Sequence, residues 1–265
     1  MWVSGLSARC LLALSLSTFW VLPGFASDTT QHCNKRVFSE AAYVICTFDP
    51  TNDDIRLFHA GEDEKPFRHF SKLEAALKDK SETLIFAMNA GMFDRSRNPI
   101  GLYVERAVEK KKVNRNDGPG NFHLMPNGVF WIWKEDGYRV AHVATTEDFV
   151  AKATKDVIDF ATQSGPMLVI DGQLHPKFLA DSTSRKRRNG VGVTEAGDVI
   201  FAISDTPVTF YEFATMFKEQ LKTPNALFLD GSISRIFAPD IERRDYGVPM
   251  GPIVGVVALR ADEQK

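Results

Sequence analysis

The apolar residues of this chain come in short runs, and four of the runs end alike. Ile85–Met88 is followed by Asn89-Ala90-Gly91, and Met167–Ile170 by Asp171-Gly172. Phe201–Ser204 is followed by Asp205, and Leu227–Leu229 by Asp230-Gly231-Ser232. Continuous apolar runs of about four to eight residues, closed by turn residues, read as buried strands and not as helices. This repeated short run constrains the fold most, because a chain built of such pieces must assemble a sheet.

Further strands fall at Tyr43–Phe48, Ile55–Phe58, Gly101–Glu105 and Ile253–Leu259. Two hairpins are expected. Gly128–Lys134 turns through Glu135-Asp136-Gly137 into Tyr138–Val143, and Asn189–Val193 turns through Glu195-Ala196-Gly197 into Asp198–Ser204. Trp131 and Trp133 share one face of the first hairpin, as a packed face or a sugar-stacking platform. Helices are fewer. Ser71-Lys72-Leu73-Glu74 has the form of a capping box and opens a helix to about Asp79. Thr146–Lys155 reads as a second helix, and Phe210, Phe213, Ala214, Phe217 and Leu221 follow helical spacing for a third. The expected class is α+β: a single domain with a mixed β-sheet core and a few helices.

Residues 1–26 stand apart. Arg9 precedes an apolar Cys10–Leu22 stretch, and Pro23-Gly24-Phe25-Ala26 places small residues at a cleavage site after Ala26. This pattern is that of a secretory signal peptide, and the stretch is shorter than the roughly 20 residues of a membrane span. The expected organisation is a signal peptide over 1–26, an N-terminal lead-in over 27–42, and one domain over 43–265. The exported product would be periplasmic or extracellular, with no stable membrane span. Cys33 and Cys46 then remain as an even pair in an oxidising compartment, forming one disulfide or standing as two buried thiols. The full chain carries a formal charge of −2, so it has no long-range pull toward nucleic acid.

Each polar strand end is open to two readings. Asp, Asn and Gly end strands because they make turns. Where neighbouring strands finish on one edge, the same residues converge on a cleft, and glycine lets a ligand approach the backbone. The basic run Ser184-Arg185-Lys186-Arg187-Arg188 leads into Asn189-Gly190-Val191-Gly192. Arg187 or Arg188 is the candidate anion binder, since a guanidinium matches phosphate or carboxylate oxygens. The sequence contains no Gly-x-Ser-x-Gly elbow, P-loop, dinucleotide fingerprint or paired zinc-ligand histidines. No metal ligands are assigned, and the cofactor is left unknown.

Four segments together carry a family resemblance: Phe86–Phe93, Ser164–Gly172, Arg188–Val193 and Leu229–Ser232. In this order and spacing the chain resembles the phosphodiester glycosidase family, in an exported bacterial branch of it. The likeness spans roughly Tyr43 to Val257. It departs at Ala90 in place of a glycine, at Asn189-Gly190 in place of Thr-Ala, and at Ile233, which shortens the glycine-rich stretch after Asp230. The resemblance implies a hydrolase that cleaves the glycosidic C–O bond of a sugar-1-phosphodiester in an envelope or extracellular glycan. It implies Arg188 and Asp230 as catalytic residues, with Arg188 clamping the phosphate; the charge of the reaction calls for a carboxylate as base or electrostatic stabiliser, Asp230 first and Asp171 second. Asn89, Gly91, Phe93, Ser164, Asp205, Gly231, Ser232 and Arg187 complete the expected substrate site. The expected partner is a phosphorylated glycan. Two alternatives stand beside this: a metal-assisted phosphodiesterase using Asp171, Asp205 and Asp230, and a non-catalytic phosphoglycan-binding envelope protein.

Overall fold

The computed structural model describes residues 31–153 and 158–260, with Met1 and Trp2. The signal-peptide reading falls outside the described residues, as do the last residues of the second expected helix.

Strands numbered in chain order make three sheets. The seven-stranded sheet has the order β1 (Cys33–Phe38), β2 (Ala41–Phe48), β13 (Val199–Ser204), β12 (Asn189–Val193), β14 (Asn225–Asp230), β10 (Met167–Ile170), β11 (Gln173–Leu174). A five-stranded sheet has the order β16 (Arg243–Arg244), β15 (Ile236–Ala238), β4 (Glu82–Asn89), β17 (Ile253–Leu259), β3 (Asp54–Phe58). A second five-stranded sheet has the order β6 (Val108–Lys111), β5 (Tyr103–Glu105), β9 (Ile158–Ser164), β7 (Gly128–Glu135), β8 (Tyr138–Thr145). The fold is α+β, and the neighbouring strands described pair antiparallel.

One apolar cluster draws from all three sheets. It includes Val44, Phe48, Phe86, Met88, Phe130, Val191, Phe201 and Leu229. Each helix then covers the other face of one sheet. α1 (Phe70–Lys78) lays Phe70, Leu73 and Leu77 on Leu84, Ala87 and Val257. α2 (Thr146–Lys152) lays Phe149 on Val129 and Trp131. α3 (Phe210–Thr215) lays Phe213 on Tyr43, Ala202 and Phe228. Strands buried on both faces are why the runs read as continuously apolar and not alternating.

Three local differences from the sequence reading have physical causes. α1 opens at His69 with no side-chain cap, so the Ser71–Glu74 box lies inside the helix and is not used. A capping box does form at Thr209 and Glu212, where α3 begins. The polar stretch before Tyr43 contains a strand, because β1 pairs with β2 along its full length while most of its side chains face solvent.

Cys33 and Cys46 lie directly opposite in that pairing and are disulfide-bonded. Replacing both by Ser is expected to cost about 2–3 kcal/mol, the value for a closed loop of this size. Thermal unfolding with and without reductant checks this, with a fall in Tm of roughly 5–10 °C expected in the double variant.

Candidate active site

Three of the four polar strand ends meet. β12 runs antiparallel to both β13 and β14, so its start and their ends share one sheet edge. Asn189 lies opposite Asp230 there, and Ser204 N donates to the Arg188 carbonyl at 2.9 Å. The end of β4 reaches the same place from another sheet. Asn89 is fully buried, and its Nδ2 donates to Asp230 Oδ2 at 2.9 Å. Asn189 Nδ2 donates to the Asn89 carbonyl at 2.8 Å, and Asn89 Oδ1 accepts from Arg235 N at 2.8 Å. One asparagine therefore ties together β4, β12, β14 and the segment entering β15.

The fourth strand end is not brought to this cluster. β10 is antiparallel to β14 and pairs Val169 with Ala226. Asp171 consequently sits beside Asn225 at the opposite edge, with its N donating to Asn225 Oδ1 at 3.1 Å. The length of β14 separates it from Asp230, roughly 16 Å of extended chain.

A β-bulge places Asp230. The β12–β14 register pairs Asn189 with Asp230 and Gly190 with Phe228, leaving Leu229 without a partner. Simple alternation would put Asp230 on the face of Ala226 and Phe228, against α3. The extra residue re-aims the next side chain, and Asp230 instead meets Asn89 of the neighbouring sheet. Ser164 Oγ holds the bulge by donating to the Leu229 carbonyl at 3.0 Å.

The Asp230 carboxyl is half-buried and held on both oxygens, by Asn89 Nδ2 and by Gly231 N at 2.7 Å. Burial pushes its pKa up to about 6, against the opposing pull of those two donors and the charge of Arg235. Ser234 Oγ packs the following turn, 2.9 Å from Asn189 Oδ1 and 2.6 Å from the Gly231 carbonyl. Ser232, by contrast, is exposed on that turn.

Arg235 is the cation nearest in role to this carboxylate. It is only 5% exposed, and its buried Nη2 has no hydrogen-bond partner. Burial lowers its pKa, and the positive charges of Arg187 and Arg97 press the same way, while Asp230 and Asp245 oppose them. Arg187 donates from Nη2 to Asp205 and Asp245 at 3.1 and 3.2 Å, and its buried Nε is also unpartnered. Arg243 completes this network by donating to Asp205 at 2.7 and 2.8 Å. In this network Arg235 Nη2 and Arg187 Nε, both buried, are left without hydrogen-bond partners, and guanidinium N–H groups are donors suited to an anion.

Arg188 goes elsewhere. Consecutive strand residues face opposite ways, so with Asn189 turned toward Asn89, Arg188 turns toward α3. Its Nε and Nη2 donate to the carbonyls of Val208 and Ser184, both at 2.9 Å. Its guanidinium stacks on Phe210 at 3.7 Å, and burial lowers its pKa to about 10. Among the other expected residues, Gly91 has φ 149°, and a Cβ there would lie 2.9 Å from Thr162 Oγ1. Phe93 carries the Arg97 guanidinium over its ring at 5.2 Å.

Arg235, Ser234, Asn189, Asp245 and Arg97 were not legible as site residues. The available signal was Arg235 itself, a lone cation directly before the apolar Ile236-Phe237-Ala238. Among the described residues no three His, Cys, Asp or Glu side chains are grouped as a metal site, and Asp171, Asp205 and Asp230 do not come together.

The profile of the family described as phosphodiester glycosidase matches residues 82–246. The uncharacterized protein YigE of Escherichia coli (strain K12) is 33% identical over 191 residues, covering 72% of each chain. The catalytic domain of zebrafish N-acetylglucosamine-1-phosphodiester alpha-N-acetylglucosaminidase superposes with TM-score 0.56 at 15% identity, covering 84% of this chain and 81% of that one. A Burkholderia pseudomallei K96243 protein described as exported superposes with TM-score 0.57 at 10% identity, covering 82% and 74%. The solved structures share the fold.

Proposed function

Because this chain belongs to the phosphodiester glycosidase family, we propose that it hydrolyses a sugar-1-phosphodiester at the Asn89–Asp230–Arg235 cluster, cleaving the C–O bond. The observation that carries this reading is a carboxyl whose pKa burial pushes up to about 6, acted on by the charge of a buried guanidinium whose Nη2 is unused.

The chemistry follows from charge. The departing group is a phosphomonoester, whose second pKa is near 6, so it needs little protonation. It needs its growing negative charge met by fixed donors. Arg235 supplies them from Nη2, with Arg187 Nε beside it, in a site where little water competes. Asp230, ionised at neutral pH, faces the sugar carbon. It stabilises the oxocarbenium-like centre or takes a proton from the attacking water. Asn89 and Gly231 N fix the carboxylate's orientation. Arg188 acts through position: its bonds to Ser184 and Val208 anchor the start of β12, which carries Asn189. Asp171, at the far edge, is left outside the reacting group. The compartment we assign is the envelope or the extracellular space, supported by the Cys33–Cys46 disulfide. No helix among the described residues is long and apolar enough to cross a membrane.

The test is hydrolysis of a panel of sugar-1-phosphodiesters by the exported chain beside Asp230→Asn. Turnover present in the former and lost in the latter supports the reading. Equal turnover in both removes Asp230 from the chemistry.

A further inference from the structure

An open groove of about 920 Å³ lies between the 59–69 segment, α1 and the β5–β6 hairpin. Its walls carry more cations than carboxylates. Lys80 pairs with Glu62 at 2.9 Å, and Lys65 with Asp63 at 3.3 Å. Glu105 accepts from the Tyr103 hydroxyl at 3.1 Å and the His59 amide at 3.2 Å, and the charges of Arg106 and Lys110 act on its carboxylate. Arg68, Lys72, Arg106 and Lys110 also line the groove, and none has an ion-pair partner within 4.0 Å among the described residues. Asp79 and Glu105 offset them in part, and the lining as a whole keeps an excess of two cations, six (Lys65, Arg68, Lys72, Lys80, Arg106, Lys110) against four carboxylates (Glu62, Asp63, Asp79, Glu105). Several unpaired like charges around one concavity make a field that concentrates anions.

Arg97 connects the rim of the groove to the Asp230 cluster. His59, next to the lining residue Ala60, places its Nε2 3.0 Å from the Arg97 carbonyl. The Arg97 guanidinium lies over Phe93, and its charge acts on Arg235. A single phosphodiester needs only the guanidinium groups at Arg235. The additional unpaired cations call for additional negative charge in the same ligand.

We propose that the groove binds the flanking phosphates of a polymeric substrate, a glycan chain joined by phosphodiesters, while the Asp230 cluster takes the linkage that is cut. This rests on the glycosidase reading for the cut itself, but the groove can be tested without turnover. The probe is linear inorganic polyphosphate, titrated into the exported chain and into the double variant Lys72→Glu, Lys110→Glu. Both positions are exposed, and neither belongs to the cluster. The unaltered chain is expected to bind polyphosphate far better than inorganic phosphate, and to weaken steeply between 50 and 200 mM salt, by about tenfold or more. The double variant is expected to bind about tenfold or more weakly and to keep the unaltered turnover of a single sugar-1-phosphodiester. Equal polyphosphate binding by variant and unaltered chain, or no binding by either, overturns the proposal. Loss of single-diester turnover in the variant also overturns it, because the groove would then be part of the cutting site. Polyphosphate binding that depends on Lys72 and Lys110, without turnover of any diester, supports the groove and counts against the glycosidase reading alone.

Discussion

Asp230→Asn is expected to lower turnover by about 10²- to 10⁴-fold, the range for loss of a positioned acid–base group. The amide keeps the size of the carboxyl but only one acceptor, so it can hold Asn89 Nδ2 or Gly231 N and not both, and the unfolding curve of the variant checks that it stays folded. The pH profile of the unaltered chain gives an independent check. If the ionised carboxylate is the active form, turnover rises with a midpoint near 6, the value to which burial pushes the group. Stability should move the opposite way. The folded pKa lies above the unfolded value of 3.8, so the folded state holds the proton more tightly. At pH below the unfolded value both states are protonated and nothing is lost. As pH rises from about 4 through 6, stability falls, by at most about 3 kcal/mol. In Asp230→Asn this slope is absent. Urea unfolding at either end of that window, for both proteins, reads the difference directly. An unchanged slope in the variant would mean that the carboxyl is better solvated than its surroundings suggest.

Arg235→Ala is expected to reduce kcat by about 10²- to 10³-fold, as for removal of one donor to developing negative charge. Two accompanying effects separate this from general damage. First, the loss of kcat should exceed any loss of folded protein read by urea unfolding, although truncating a buried side chain that packs on Gly247 and faces the charges of Asp230 and Asp245 costs stability. Second, Arg235 holds the Asp230 pKa down. Removing it should shift the residual pH–rate midpoint upward from about 6. Arg235→Lys keeps the charge but not the fork, and should restore the midpoint more fully than the rate. A midpoint that stays in place in Arg235→Ala would mean that the two groups are not coupled.

The strands were legible because both faces of each sheet are covered, which leaves continuous apolar runs at β4, β10, β13 and β14. Their directions were not. Asp171 and Asp230 end runs of the same kind, yet antiparallel pairing of β10 with β14 sends them to opposite edges. Nothing within either run encodes its partner. The choice among Arg187, Arg188 and Asn189 was decided by strand parity, which depends on where β12 begins. Asp230 was legible as a strand end, but its aim depends on a bulge at Leu229 that no local residue announces. Arg235 was hidden because a lone arginine before three apolar residues reads as the edge of a strand. Its burial comes from elements remote in sequence, with Gly247 packed against its guanidinium.

The central claim is C–O cleavage of a sugar-1-phosphodiester at the Asp230–Arg235 pair. Hydrolysis in oxygen-18 water tests it most directly, with the products separated and weighed. The account predicts label on the released sugar and none on the phosphomonoester. Label on the phosphate would place the break at P–O and contradict it.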